Sequence, residues 1–401
     1  MNHHVARESV VIASHFYPRS HLNSLYSLLF GCESEDESFG NPSAMNTPIP
    51  SRSGPSLREA RTIAHAQAMA PFLFQAARAA RDLGVLRAVR ARAVSADEVA
   101  CATALPMTSV EALLDACLAG NLVDEVTPDS WHLTTIGEVW LLDSHLAADT
   151  EFTHDVCWGG LADLSQALRT AQPAGLARLG PWPTIYAGLA HLPPAIRASW
   201  FTYDHFHSDS AFRAALAAVH ASNPQTLLDV GGNTGRFSRL ALTRLPTVQV
   251  TLLDLPSQVR EAATNLADFG NRITCTGLDL LDHQRPFPGA MDAVWMSQFL
   301  DCFSPSDVVA LLRRARAALA PGGSVWVLEV CPDRQSEPAA ATSLRLASLY
   351  FTALANGVSR FYRATTYRHL AAQAGLQIVS EIDGLGTAHT LFRLQPQSQN
   401  A

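Results

Sequence analysis

The run Thr226-Leu-Leu-Asp-Val-Gly-Gly-Asn-Thr-Gly235 places an acidic residue and three glycines where a strand turns into a helix. Thr226 to Val230 has the character of a buried strand. Gly231, Gly232 and Gly235 make a tight turn, and Arg236 to Arg244 carries Phe237, Leu240 and Ala241 at helical spacing. Such a turn lets a ligand approach the backbone beside a helix N-terminus. The next strand, 248–253, runs into Asp254. A carboxylate at that tip suits the two hydroxyls of a ribose. The dinucleotide fingerprint would need Gly at 233 and 236, and the chain has Asn233 and Arg236. A phosphate-cradling Walker loop would need a Lys, and all 29 basic residues are Arg. A phosphate-free nucleoside or an ordinary glycine-rich turn remain as readings.

These residues are held by alternating strands and helices from Asn223 onward, which predicts an α/β domain with a parallel sheet covered on both faces. The strand candidates are 226–230, 248–253, 272–276, 291–297, 324–330, and 376–381 with 388–394. The last two lack a full helix between them and predict an edge hairpin. Upstream, Ser56-Leu-Arg-Glu59, Ser95-Ala-Asp-Glu98 and Thr108-Ser-Val-Glu111 have the form of capping boxes. The first opens an Ala-rich helix over 57–83 that contains Pro71, and the third opens a helix ending at Gly120. Residues 122–126 and 131–133 flank the turn Thr127-Pro-Asp-Ser130 as a hairpin. Two helices and a hairpin form a winged-helix arrangement. Its would-be recognition helix carries Glu111 and Asp115 and no Arg, the wrong chemistry for a major groove. A packing and dimerisation module is the expectation.

The domain boundaries that follow are 1–55, a disordered extension; 56–145, the winged helix; 146–222, a helical connector; 223–395, the ligand-binding domain; and 396–401, a tail. Residues 1–44 precede Met45 and are expected to be dispensable for folding, with a short helix possible over 15–29. The connector is rich in aromatic residues, among them Trp158, Trp182, Tyr186, Trp200, Phe201, Tyr203 and Phe206, which suit either a pocket wall or plain core. The formal charge of -7 argues against nucleic acid or an anionic membrane as partner. No apolar run approaches the ~18 residues needed to span a bilayer. The N-terminal sequence lacks secretory features, and the seven Cys show no C-x-x-C pair. A cytoplasmic protein with reduced thiols and no zinc framework is expected.

The order of glycine turn, Asp254-Leu-Pro256, Asp279-Leu280, Pro321-Gly-Gly323 and Glu329, with a winged helix before it, resembles the class I S-adenosylmethionine-dependent O-methyltransferases of the plant caffeate and bacterial polyketide type. The resemblance covers roughly residues 57 to 395. The Trp295–Ser304 stretch also resembles methyltransferases encoded with bacterial aryl-polyene pigments. The family turn, acidic-x-G-x-G-x-G, is here Asp229-x-Gly231-x-Asn233-x-Gly235, with Asn in place of the middle glycine; Asn tolerates left-handed backbone better than most residues. The resemblance implies a Rossmann-like class I methyltransferase domain, S-adenosyl-L-methionine as cofactor, a small aromatic substrate and a homodimer. It implies that Asp229, Gly231, Gly232, Gly235, Asp254, Leu255, Asp279, Leu280 and Ser297 form the cofactor site. Asp254 would bind the ribose, Asp279-Leu280 would flank the adenine, and Ser297 stands where the family has a Lys.

The family's catalytic His aligns with Asp301, and its first assisting Glu with Glu329. Its second Glu would fall near Phe361, and none is there. Asp301 and Glu329 are therefore the catalytic candidates. Methyl transfer mainly requires alignment of donor and acceptor. A free Asp, near pKa 3.9, is ~6 units or ~8 kcal/mol short as base for a phenol near 10. Burial of Asp301 beside Glu329 would raise one carboxyl. Asp301 could instead accept a phenol hydrogen bond so that a ring carbon attacks, or only orient the substrate. Non-methylating chemistry on the same fold, decarboxylation or hydroxylation, and a non-catalytic binding module are the alternatives. His205 and His207 form an H-x-H pair with no third ligand in view, which predicts ordinary polar residues and no metal site. Arg360 and Arg363 could hold a substrate carboxylate, but a solvated helix start is the commoner meaning of such a pair.

Overall fold

The computed structural model describes residues 54–398. The expectations for 1–53, and for the last three residues of the tail, lie outside the described residues. The chain divides into a short unit ending at Ala66 and a main unit from Gln67 onward.

Helix α1 (Leu57–Asp82) starts on the expected capping box. The Ser56 N–H donates to Glu59 Oε2 at 2.8 Å and the Glu59 N–H donates to Ser56 Oγ at 3.3 Å. Pro71 lies inside this helix. Helix α2 (Ala96–Thr103) has the second box, with Ser95 and Glu98 bonded reciprocally. Each such cap stabilises its helix by about 1 kcal/mol. The third box is a correction. Helix α3 (Met107–Ala119) begins two residues earlier, with Pro106 at its N-cap, so Thr108 already lies inside the first turn and cannot cap. Strands β1 (Val123–Thr127) and β2 (Ser130–Leu133) form the expected antiparallel hairpin, and a bridge from Val94 to Trp131 extends the wing. Its core includes Leu86, Val99, Leu114, Leu122 and Trp131.

The connector is less regular than its composition suggested. After helix α4 (Ser144–Glu151) the backbone widens into a π-type turn, Phe152–Cys157, and short helical pieces follow. It ends in the 27-residue helix α5 (Pro194–His220).

The main sheet has seven strands: β3 (Thr226–Val230), β4 (Gln249–Asp254), β5 (Ile273–Gly277), β6 (Met291–Ser297), β7 (Leu319–Val330), β8 (Leu376–Leu385) and β9 (His389–Pro396). Their spatial order is β5-β4-β3-β6-β7-β9-β8. Five strands run parallel; β9 enters antiparallel beside β7, and the β8–β9 hairpin closes the edge as expected. Both faces are buried, as a parallel sheet requires. Val294 and Met296 of β6 pack on one side, and Ala293 and Trp295 on the other. The register sets Val230 level with Leu253 and Met296, so the C-terminal ends of β3, β4 and β6 open together. That is the order-reversal point where α/β sheets form a crevice.

Candidate active site

The crevice begins with the turn between β3 and helix α6 (Arg236–Arg244). Gly231 and Gly235 have φ of 74° and 85°, which only glycine adopts without strain. A Cβ on Gly231 would also lie 2.2 Å from the Phe299 ring. Asn233 sits at φ 49°, so the substitution for the middle glycine keeps the left-handed conformation. Asp229 lies beneath the turn and is 2% exposed. Its Oδ2 accepts from Ser238 Oγ at 2.5 Å, and burial pushes its carboxyl up to about 7. It ties β3 to α6 as well as lining the cavity.

Asp254 closes the turn from the side. Its two oxygens accept the N–H groups of Asn233 at 2.7 Å and Leu255 at 2.6 Å. Burial raises its pKa to about 6 against the pull of those two donors. Each carboxylate oxygen retains a free acceptor site for a hydroxyl. Asp279 follows β5, with one oxygen held by the Leu281 N–H at 2.9 Å. Leu255 and Leu280 add apolar surface, and all four residues line one cavity of about 580 Å³. Ser297 Oγ and Asn233 Oδ1 are buried on that cavity without hydrogen-bond partners. Orphaned polar atoms at strand tips, beside carboxylates with spare acceptor capacity, fit a polar nucleoside.

The same cavity continues to Asp301, in the turn Leu300–Cys302 after β6. The side chain is 2% exposed and accepts from Cys302 Sγ at 3.3 Å. Glu329, at the end of β7, is fully buried behind it. Burial pushes Asp301 up to about 7; burial and the neighbouring Asp301 charge push Glu329 well above the carboxylate range. The two carboxyls are neighbours, but only Asp301 reaches the cavity. Glu329 does not line the cavity. Its Oε1 accepts the Phe299 and Leu300 N–H groups at 3.1 and 2.8 Å, so it pins the loop that presents Asp301. Phe361, where the family would have a second Glu, supplies an aromatic ring to the cavity wall.

The two histidines of the H-x-H pair do not act together, for a simple reason. Residues two apart on a helix face opposite ways. His205 lines the cavity, 3.5 Å from Thr234 Oγ1, and burial lowers its pKa to about 4. His207 points away and meets Asp149 at 3.0 Å. Arg360 and Arg363 are exposed and line no part of the cavity; Arg363 is the N-cap of the helix Ala364–Gln373.

Residues 201–377 match the family model of the O-methyltransferase domain. An L-tyrosine C(3)-methyltransferase from Streptomyces lavendulae is 28% identical over 227 residues, 56% of this chain and 61% of that protein. Aclacinomycin 10-hydroxylase RdmB from Streptomyces purpurascens is 29% identical over 231 residues, 57% of this chain and 58% of that protein. The matched segments thus span about three fifths of these curated relatives. The solved structure of the S-adenosylmethionine-dependent methyltransferase SibL, 26% identical, aligns with a TM-score of 0.65 over 84% of this chain and 99% of that chain. Residues 201–377 thus match an O-methyltransferase domain, and the chain is similar to S-adenosylmethionine-dependent methyltransferases.

Sequence reasoning missed several residues of this cavity. Asp204 accepts from Asn233 Nδ2 at 3.1 Å, and burial and the Asp301 charge raise it to about 7. The spacing of Trp200, Tyr203 and Asp204, one face of α5, was the available signal. Gln298, left-handed at φ 43°, reaches His389 at 2.9 Å. Cys302 and Asn356 also line the cavity, and nothing in their local sequence marks them. Of the connector's rings, Tyr186, Trp200 and Tyr203 reach the cavity, whereas Trp158 and Phe206 do not.

Proposed function

We propose that the protein transfers a methyl group from S-adenosylmethionine to a small, uncharged aromatic acceptor, on oxygen or ring carbon. One observation carries this reading: a single cavity joins the strand-tip carboxylates Asp254 and Asp279 to the buried Asp301 and an aromatic wall. The bound cofactor would supply an electrophilic sulfonium methyl. Asp254 would hold the ribose hydroxyls, Asp279 and Leu280 would flank the adenine, and Ser297 and Asn233 would donate or accept along the methionine portion. Tyr186, Trp200, Tyr203 and Phe361 would sandwich the acceptor and exclude water. Asp301 would take or hold the acceptor's hydroxyl proton. Burial raises its carboxyl, which narrows the mismatch with a phenol. An anionic acceptor is disfavoured, because Asp204, Asp254, Asp279 and Asp301 all face the cavity, and its Arg236 is committed to Asp209.

The winged-helix module over 56–145 serves homodimerisation in this reading, supported by the exposed apolar residues Leu57, Ile63, Met69 and Phe72 on α1. The connector 146–222 supplies the acceptor wall, and 223–395 the cofactor site. Six described cysteines are free thiols, consistent with work in the cytoplasm.

Calorimetry with S-adenosylmethionine tests the proposal first; neither heat nor a thermal shift at millimolar cofactor would refute it. A second reading is favoured by the hydroxylase among the relatives: cofactor binding without methyl transfer. Release of S-adenosylhomocysteine with each turnover supports methylation, and product formation without it supports the second reading.

A further inference from the structure

Helix α5 carries one histidine that the cavity does not use. His207 lies on the opposite face from His205, where α4 packs against it. There its Nε2 is 3.0 Å from Asp149 Oδ1, and His145 Nε2 is 3.7 Å from Asp149 Oδ2. The two imidazole rings are 4.9 Å apart. His145 and Asp149 are one turn apart on α4, so their side chains share a face. Among the described residues this is the one group of three His, Cys or carboxylate side chains whose donor atoms all fall within 4.8 Å.

We propose that His145, Asp149 and His207 bind a divalent transition-metal ion of the zinc class. Two imidazoles and one carboxylate, with a position left for water, are donors suited to Zn²⁺, Co²⁺ or Fe²⁺ and ill suited to Mg²⁺ or Ca²⁺. A tetrahedral ion needs donor separations of about 3.3 Å; the His207–Asp149 pair is already near that, and the His145 donor must move inward. His145 is partly exposed, with its ring beside those of Phe206 and His207. His207 is already oriented from behind. Its Nδ1 lies 3.4 Å from Thr387 Oγ1, and an Nδ1–H donating there leaves the Nε2 lone pair for the metal.

The site's position gives it a consequence. Asp149 is three residues before Phe152, and His207 is four after Tyr203. Phe152 and Tyr203 stack on each other with centroids 4.0 Å apart, and both line the acceptor end of the cavity. An ion joining α4 to α5 would therefore clamp the two helices directly behind that stacked pair. It would act as a structural clamp, remote from the reacting atoms.

The test uses the full chain, freed of metal with chelator and titrated with Co²⁺ and then Zn²⁺. The expected result is visible absorption of four-coordinate cobalt with nitrogen and oxygen ligands, without the near-ultraviolet band of thiolate ligation. Zinc at 100-fold excess over its Kd should raise Tm by about 4 °C. His145→Ala, at a partly exposed helix position, should remove one ion per chain together with both signals. Asp149→Asn should weaken binding at least tenfold while the apo Tm changes little. No cobalt spectrum in the wild-type chain, or a stoichiometry and thermal shift unchanged in His145→Ala, would overturn the proposal.

Discussion

The two ends of the cavity are built by different means. The cofactor end is made of strand tips: the 231–235 turn, Asp254 and Asp279 each follow directly from the C-terminal end of a strand, and the parallel register sets them side by side. Its key hydrogen bonds run between carboxylates and backbone N–H groups, as at Asp254. The acceptor end is made of side chains from distant segments. Phe152, Tyr186, Tyr203, Asp301 and Phe361 come from five separate pieces of chain. A site framed by strand register keeps its shape when one side chain changes, and loses only that side chain's own contacts. Side-chain-built sites take both shape and charge from each residue, so binding of donor and choice of acceptor can be altered separately.

The sharpest way to break that contrast is Asp301→Asn. It should lower kcat by about 1,000-fold if Asp301 carries the acceptor's proton, and leave the S-adenosylmethionine Kd within about twofold. Calorimetry and steady-state kinetics together check this, and an unchanged kcat would remove Asp301 from the chemistry. The wild-type rate should rise through pH 7 to a plateau, because burial places the Asp301 carboxyl at about 7 and only the carboxylate can accept a proton. A rate that falls through the same range would make Asp301 an acid instead.

At the other end, Asp254→Ala should weaken cofactor binding about 100-fold, on the order of 3 kcal/mol for a lost charged acceptor. Acceptor binding should be nearly unaffected. An acceptor Kd that shifted equally would show that the two ends are not separable.

A smaller effect is expected from Asp204→Asn. Burial raises the Asp204 carboxyl to about 7 when folded, against about 3.9 unfolded. The unfolded chain therefore loses its proton first, and this group's contribution to stability falls as pH rises from about 4 to 7. The variant should raise the apo-protein's Tm by a few degrees at pH 8 and leave it unchanged at pH 4. Smallest is Tyr186→Phe. Its buried hydroxyl faces the cavity beside Cys302, so for an acceptor that bonds it, removal should raise KM about fivefold, with cofactor affinity constant.

Much of the cofactor end was legible because its signals are local. The glycine turn, its left-handed Asn233, and the acidic ends of β4 and β5 are each set within a few residues of a strand. Two of the three capping boxes were legible for the same reason. The third failed where Pro106 started the helix early, a competition between neighbours that a motif does not contain. At the acceptor end, the alignment pointed to Asp301 and Glu329 but not to which one meets the cavity. Gln298, Cys302 and Asn356 carried no linear mark at all. The histidines show the limit most plainly: His205 and His207 are two apart in sequence, and the helix sends one to the cavity and the other to Asp149.

The sequence by itself determined the order of strands and helices and the shape of the loop after β3, since periodicity and glycine stereochemistry act over short stretches. Tertiary structure alone decided which carboxyls are raised, and which imidazoles meet across α4 and α5. Desolvation and proximity between residues far apart in the chain exist only once the sheet and its covering helices have packed.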